Sequence, residues 1–160
     1  MSTASKNTRE TRPFYTFARL LRDPFLTINT RLHEQLDQLG FEDIRPAHGT
    51  VMQHLALDQG TRLTDIATRA QLTKQTVGYL VDDLEALGYV ERVPDPDDAR
   101  ARLVRYTPRG REARKNAGEA IKKIVARWEA ALGKRKMAQL RKLLEELRDV
   151  IEAEEQSAGT

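Results

Sequence analysis

Apolar residues recur along this chain at two spacings, and the change from one to the other marks out its elements. Pro13 to Leu21 is a short amphipathic segment carrying Phe14, Phe17, Leu20 and Leu21. Asp23-Pro24 has the form of a cap followed by a first helical position. Phe25, Ile28, Leu32, Leu36 and Leu39 then share one face of a helix that stops at Gly40. Arg45-Pro46 opens another, through Val51, Leu55 and Leu57 to Gly60. Two short helical patterns follow, one with Ile66, Ala67 and Ala70, the next with Leu72, Val77, Leu80, Val81, Leu84 and Leu87. Only Ala70-Gln71-Leu72 lies between them, the length of the turn in a helix-turn-helix. Such a turn sets the second helix at a steep angle from which it can enter a DNA major groove. The period then falls to two. Tyr89–Val93 and Arg102–Tyr106 alternate as strands about a charged, turn-forming stretch from Pro94 to Ala101, a hairpin placed as a wing. Pro108 opens a long helix with Ala117, Ile121, Ile124, Trp128 and Ala131, and Gly133 breaks it. A last helix carries Met137, Leu140, Leu144, Leu147 and Ile151 in a coiled-coil-like seam.

Local chemistry sharpens the central boundaries. Thr64 is expected to cap the first short helix, with Asp65 near its positive end. Thr73 is expected to cap the second, leaving Lys74, Gln75, Gly78, Tyr79 and Asp82 opposite the apolar stripe. Gly88 stands where a left-handed C-terminal cap belongs. Gln71 occupies a turn position where glycine is common, at a cost of about 1 kcal/mol if its φ is positive.

Three segments in order and spacing carry a family resemblance: Leu84-Glu85-Ala86-Leu87-Gly88-Tyr89-Val90-Glu91-Arg92, then Asp95-Pro96-Asp97-Asp98-Ala99-Arg100, then Leu103-Val104-Arg105-Tyr106-Thr107-Pro108-Arg109-Gly110. Together they resemble the MarR family, the bacterial multiple-antibiotic-resistance regulators with a winged helix-turn-helix. Tyr106 stands where many members have leucine. The likeness spans most of residues 13–155 by layout and is sharp over 63–110.

The resemblance implies a mainly α fold with a small β-hairpin wing, whose N- and C-terminal helices form a dimerisation region. The corresponding divisions are a disordered tail at 1–9, dimerisation helices at 10–45, a winged helix-turn-helix DNA-binding domain at 46–110, dimerisation helices at 111–155 and a tail at 156–160. A homodimer would read double-stranded DNA at a pseudo-palindromic operator, with half-site centres about 10 base pairs apart. The expected role is a repressor of bacterial genes, released by a small aromatic ligand. Phe14, Tyr15, His33, Arg45, His48 and Trp128 are the candidates to line an effector cleft between dimerisation helices and winged domain. On the helix, Thr73, Lys74, Gln75, Thr76, Gly78 and Tyr79 are the candidate DNA contacts. On the wing they are Asp98, Arg100 and Arg102, with Asp98 aiming Arg100 into the minor groove through a local ion pair. Arg105 and Arg109 are further phosphate candidates.

Composition narrows the alternatives. A chain of 160 residues is one domain's worth, and 32% charged against 39% hydrophobic residues fits a helix-rich protein with much solvated or intermolecular surface. No run of 18 apolar residues occurs and Met1–Glu10 lacks a signal-peptide core, so a cytoplasmic location without membrane contact is expected. The absence of cysteine excludes disulfides, thiolate metal sites and the peroxide-sensing mode some MarR relatives use. The net charge of +3 says little, but residues 99–115 hold seven basic side chains against Glu112 alone, a balance of +6. Such a cluster neutralises phosphates with a steep salt dependence. His33, His48 and His54 include no pair at helical metal-site spacing, and phosphate-loop, dinucleotide and nucleophile-elbow signatures are missing. No catalytic residue, metal or cofactor is therefore expected. Two readings from other classes compete: a winged-helix protein-interaction module without DNA binding, and a small-molecule-binding or hydrolytic enzyme on an α scaffold.

Overall fold

Pro24 lies inside a helix instead of opening one. In the computed structural model, which describes residues 13–158, a single helix α1 runs over Pro13–Gln38. The tail expected at residues 1–9 and the side chains of Phe14 and Tyr15 lie outside the described residues. An interior proline forfeits one main-chain hydrogen bond and costs about 3 kcal/mol. Local polar contacts hold the turn together here. Thr27 Oγ1 donates to the Asp23 carbonyl at 2.8 Å, and the Asp23 carboxylate receives Arg19 and Arg22, both at 3.3 Å.

The next helix is shorter than its periodicity suggests. Helix α2 covers only Pro46–Met52, where the spacing had carried it on to Gly60. The cause is a competing hydrogen bond: the Ala56 N–H goes to Thr61 Oγ1 at 2.9 Å, which draws the chain out of helical geometry. Leu55 still reaches the core at 3% exposure, whereas Leu57 is left in solvent. Thr61–Arg62 then form a two-residue strand β1, absent from the sequence reading because two residues show no period.

Strand β1 feeds directly into helix α3, Leu63–Ala70. The N-cap is therefore Arg62, not Thr64, whose hydroxyl instead meets Asp65 at 3.4 Å. Gln71 ends α3 with φ 53° and ψ 39°, the left-handed conformation anticipated for the turn. Leu72 N–H to Ala67 O and Gln71 N–H to Thr68 O close it as a Schellman cap. Helix α4, Lys74–Ala86, starts on Thr73, whose Oγ1 accepts the Thr76 N–H at 3.1 Å. It ends in a second Schellman cap with Gly88 at φ 78°.

Strands β2, Val90–Asp95, and β3, Asp98–Tyr106, form the wing, and the sheet order is β1-β3-β2. The hairpin is longer than expected, because pairing continues past Val93↔Leu103 to Pro94↔Arg102 and resumes at Asp95↔Asp98. That register shift leaves Ala99, Arg100 and Ala101 as a bulge at the tip. The turn is tight because Asp95 is fixed from both sides. Its Oδ1 accepts the Asp97 N–H at 2.9 Å and its Oδ2 receives Arg62 Nε at 2.6 Å.

By compactness the described chain falls into two units, one ending at Ala113 and one starting at Arg114. In the first, Val51, Ile66, Val77, Val81 and Leu84 are wholly buried, and Tyr89, Val90, Val104 and Tyr106 are buried to within 1%. Burying each such side chain contributes about 1.5–3 kcal/mol. The two tyrosine hydroxyls are not wasted. Tyr106 donates to the Met52 carbonyl and Tyr89 to Asp43 Oδ1. Helix α5, Pro108–Leu132, is capped by Thr107, whose Oγ1 accepts Gly110 N–H at 3.1 Å and donates to Gly88 O at 2.6 Å. In the second unit Gly133, at φ 86°, separates α5 from helix α6, Lys134–Ala158. Helix α6 thus extends into the stretch expected as a tail from residue 156. Leu140, Leu143, Leu144, Val150 and Ile151 stand exposed on it. Among the described residues no helix is long and apolar enough to cross a membrane.

Candidate nucleic-acid interface

Helix α4 has a buried side and an open one. Val77, Val81 and Leu84 anchor it in the core, while Thr73, Lys74, Gln75, Thr76 and Tyr79 are exposed and Gly78 is half-buried between them. Tyr79 shows 68% of its surface, an aromatic ring left in solvent on the face that a groove would meet. Among the described residues no hydrogen bond or ion pair engages the side chains of Lys74, Gln75 or Tyr79. Thr73 and Thr76 bond each other at 2.8 Å, so both hydroxyls also serve the helix start.

The far end of that face behaves differently. Asp82, grouped with the outward residues by its spacing, receives Arg92 Nη2 at 2.6 Å, and Glu85 accepts both the Arg92 main-chain N–H and its guanidinium. Arg92 lies on β2 with 24% of its side chain exposed. It ties the C-terminal half of α4 to the wing. Burial is the largest single influence on its pKa and lowers it, but the two carboxylates together outweigh burial and raise the pKa.

On the wing, Arg100 and Arg102 are exposed and free of internal partners among the described residues. Asp98 acts on Arg100 through the main chain: its Oδ1 accepts the Arg100 N–H at 3.0 Å. The expected ion pair between their side chains is not formed among the described residues, because the short Asp98 side chain is turned onto the main chain of the bulge instead. Arg105 pairs with Glu91 directly opposite it at 2.8 Å. Arg109 is an internal clamp, donating to Leu87 O at 2.8 Å and Asp43 Oδ2 at 2.9 Å, with its guanidinium 4.4 Å above the Tyr89 ring. Burial first, then the hydrogen bond to Asp43, push the Tyr89 hydroxyl's pKa up, so it remains a donor. Asp95 is held ionised by the Asp97 amide first and Arg62 second, which lower its pKa. Arg62, Asp95, Arg92, Glu85 and Thr107 escaped the sequence reading as functional supports. Position within the family-like segments was the only signal for Asp95, Arg92, Glu85 and Thr107, and Arg62 lies outside those segments.

Of the effector candidates, Arg45 and His48 come together around Asp83 of α4. The wholly buried His48 places Nε2 2.9 Å from Asp83 Oδ2, an oxygen that the Arg45 guanidinium also contacts. His33 is half-buried on α1, and Trp128 is half-buried on α5 in the second unit. A cavity of about 670 Å³ lined by Ala56, Gln59, Arg62, Asp65, Asp95 and Leu103, among others, includes none of these candidates. No cluster of three or more potential metal ligands occurs among the described residues.

Comparison with known proteins agrees with this architecture. A model of the MarR family matches residues 42–101, from the loop before α2 to the wing. The HTH-type transcriptional regulator BilQ of Clostridioides difficile (strain CD3) is 33% identical over 67 residues. That match covers 42% of this chain and 43% of BilQ, less than half the length of the curated relative. The transcriptional regulator Tm0710 of Thermotoga maritima superposes with a TM-score of 0.59 at 29% identity, over 87% of this chain and 96% of its own. A variant of S. aureus MepR, solved bound to an oligodeoxyribonucleotide, superposes with a TM-score of 0.57 at 21% identity, over 84% and 97% of the two chains.

Proposed function

Because the chain belongs to the MarR family of winged helix-turn-helix proteins, we propose that it is a homodimeric, DNA-binding transcriptional regulator, a repressor acting at a pseudo-palindromic operator. One observation carries the reading. Among the described residues, the start of α4 leaves Lys74, Gln75 and the 68%-exposed Tyr79 without a hydrogen-bond or ion-pair partner, on a helix otherwise well anchored in the core. Lysine donates to guanine O6 and N7, and glutamine pairs bidentately with adenine in the major groove. Arg100 and Arg102, exposed at the wing, add a minor-groove probe and phosphate affinity.

The dimer reading rests on exposed apolar rows. Phe17, Leu20 and Phe25 on α1 are 59%, 65% and 63% exposed, and Leu140, Leu144 and Ile151 on α6 are 42–45% exposed. Rows of this kind are expected to be covered by another chain. In this reading the helices of 10–45 and 111–155 join two copies around the DNA-binding domains. A small aromatic acid, with His33, Arg45, His48 and Trp128 as its candidate contacts, would alter the separation of the recognition helices.

Selection of bound fragments from the source genome, followed by affinity measurement across a salt series, tests the proposal. An inverted repeat with half-sites about 10 base pairs apart supports it. No preference over random DNA, alongside capture of a protein partner, would favour the interaction-module alternative.

A further inference from the structure

Helix α4 is held from one side by a histidine whose two ring nitrogens are both committed. His48 is the third residue of α2 and wholly buried. Its Nδ1 lies 3.1 Å from the Arg45 main-chain nitrogen, which can only donate. Nδ1 is therefore the unprotonated acceptor and Nε2 carries the proton, the shorter contacts outranking the 3.4 Å approach of Arg45 Nη2 to Nε2. That Nε2–H points at Asp83 Oδ2, 2.9 Å away on α4. Asp83 follows Tyr79 by one helical turn and Thr76 by two, so it lies on the same row of α4 as those two groove-facing residues. Added to the core anchors Val77, Val81 and Leu84, a grip on Asp83 trims the rotation of α4 about its axis, and with it the direction in which Tyr79 and Thr76 project.

We propose that His48 is a positioning residue for the recognition helix, acting through Asp83, and that this makes DNA engagement sensitive to protons. The proposal rests on the DNA-binding reading above. A second proton on the ring has only Nδ1 to occupy, and there it meets the Arg45 N–H head to head. Either the first turn of α2, which seats the ring against α4, opens or the ring turns; each displaces the ring from its seat beside Asp83 and leaves that carboxylate to the Arg45 guanidinium. The charged and titratable groups facing the ring come from three directions. Arg45 and Asp43 lie in the segment before α2, Asp83 on α4 and His33 on α1. Burial first and Arg45 second lower the His48 pKa from the ordinary 6.5, with Asp43 opposing and His33 adding slightly. The sign follows. The grip is complete above the unfolded-state value of about 6.5 and is lost as pH falls below it towards the lower folded value.

Two measurements test this, the first without DNA. Imidazole nitrogen and α4 amide resonances are followed by NMR from about pH 8 to about pH 5. The expected result is an Nε2–H tautomer for His48, a midpoint below 6.5, and amide shifts at Tyr79–Asp83 with the same midpoint. An Nδ1–H tautomer, or an α4 that does not respond, would overturn the proposal whatever the protein binds. The second is operator affinity over the same range. Wild type should weaken by up to about tenfold per pH unit below the midpoint for each subunit engaged, the limit for uptake of one proton per His48. His48→Gln keeps a donor near the Nε2 position, cannot be protonated, and should bind with little pH dependence. His48→Asn keeps only an acceptor near Nδ1 and should bind several-fold more weakly at every pH, with helix content unchanged. His33→Gln should retain the wild-type response. Equal pH profiles for wild type and His48→Gln would refute the inference, whereas absence of any operator binding by wild type would count against the DNA reading alone.

Discussion

Gly110→Ala should destabilise the fold sharply, although it replaces glycine with a better helix former. A Cβ at position 110 would lie 2.9 Å from Tyr106 Cδ1 and 2.9 Å from the Tyr89 carbonyl carbon, with the Tyr89 oxygen nearer still. These are backbone and core-ring atoms, not the ends of flexible side chains. The Tyr89 carbonyl is moreover fixed by the Thr107 N–H at 3.1 Å, and the Tyr89 N–H closes the end of α4 on Leu84 O at 2.9 Å. Overpacking a site that cannot relax costs about 1–3 kcal/mol. Displacing the start of α5 also endangers the Gly110–Thr107 cap and the Thr107–Tyr89 bond, each of which contributes about 1 kcal/mol. The gain from alanine over glycine in a helix is at most about 1 kcal/mol. The balance is a loss of about 2–4 kcal/mol, or on the order of 10 °C in Tm. Gly118 on the same helix supplies the control, since a Cβ there meets nothing within 4 Å, and Gly118→Ala should be neutral or stabilising by up to about 1 kcal/mol. Urea and thermal unfolding of the two variants at equal protein concentration measures the contrast. A Gly110→Ala protein as stable as Gly118→Ala would refute the assigned close approach of α5 to the Gly88-Tyr89 corner.

Arg100→Ala should weaken operator binding by about 1–3 kcal/mol while thermal stability stays unchanged, because the guanidinium makes no internal contact among the described residues; unaltered affinity at physiological salt would remove the wing from the interface. Replacing both Leu140 and Leu144 with glutamate should yield monomers in sedimentation and cost DNA affinity through lost avidity, since it puts charge into the exposed seam of α6; a folded double variant that remains dimeric would exclude that seam. A double-mutant cycle on Arg92→Ala and Glu85→Ala should give a coupling of about 1 kcal/mol in unfolding, the hydrogen-bonded ion pair being discounted for its part-exposed carboxylate; zero coupling would mean that Arg92 does not tie the wing to α4.

The parts legible from sequence were those whose boundaries are set within a few neighbouring residues. Thr73 caps α4 as its chemistry predicts, Gly88 takes the left-handed position, and Gln71 adopts the positive φ that its place between two helices demanded. Where the reading failed, a partner outside the periodic segment decided the outcome, five residues on in one case and much farther in the others. Thr61 captures the Ala56 amide and shortens α2, and β1 exists only because β3 lies beside it. Arg62, 33 residues from Asp95, helps tighten the wing turn that composition had presented as a long loop. Pro24 failed in the opposite sense: a strong local stop signal was overridden by a helix that continues through it.

Partners distant in the chain also decide what the acidic residues around α4 and the wing do. Each of five carboxylates is taken up by an internal arginine: Asp43 by Arg109, Asp82 and Glu85 by Arg92, Asp83 by Arg45 and Asp95 by Arg62. These pairs fasten α4 and the wing, and they cancel at short range. A phosphate backbone several ångströms away therefore sees little of them, since paired opposite charges leave only a dipole whose field falls off faster than that of a lone charge. Among the described residues near α4 and the wing tip, the cations without an ion-pair partner include Lys74, Arg100 and Arg102, while Asp97 and Asp98 at the turn also lack one. The arginines with acidic partners position the recognition surface, and those without partners are left to meet DNA. On this argument a charge count along the sequence is a poor guide to binding, because it weights Arg92 and Arg100 equally when only the second is available to a phosphate.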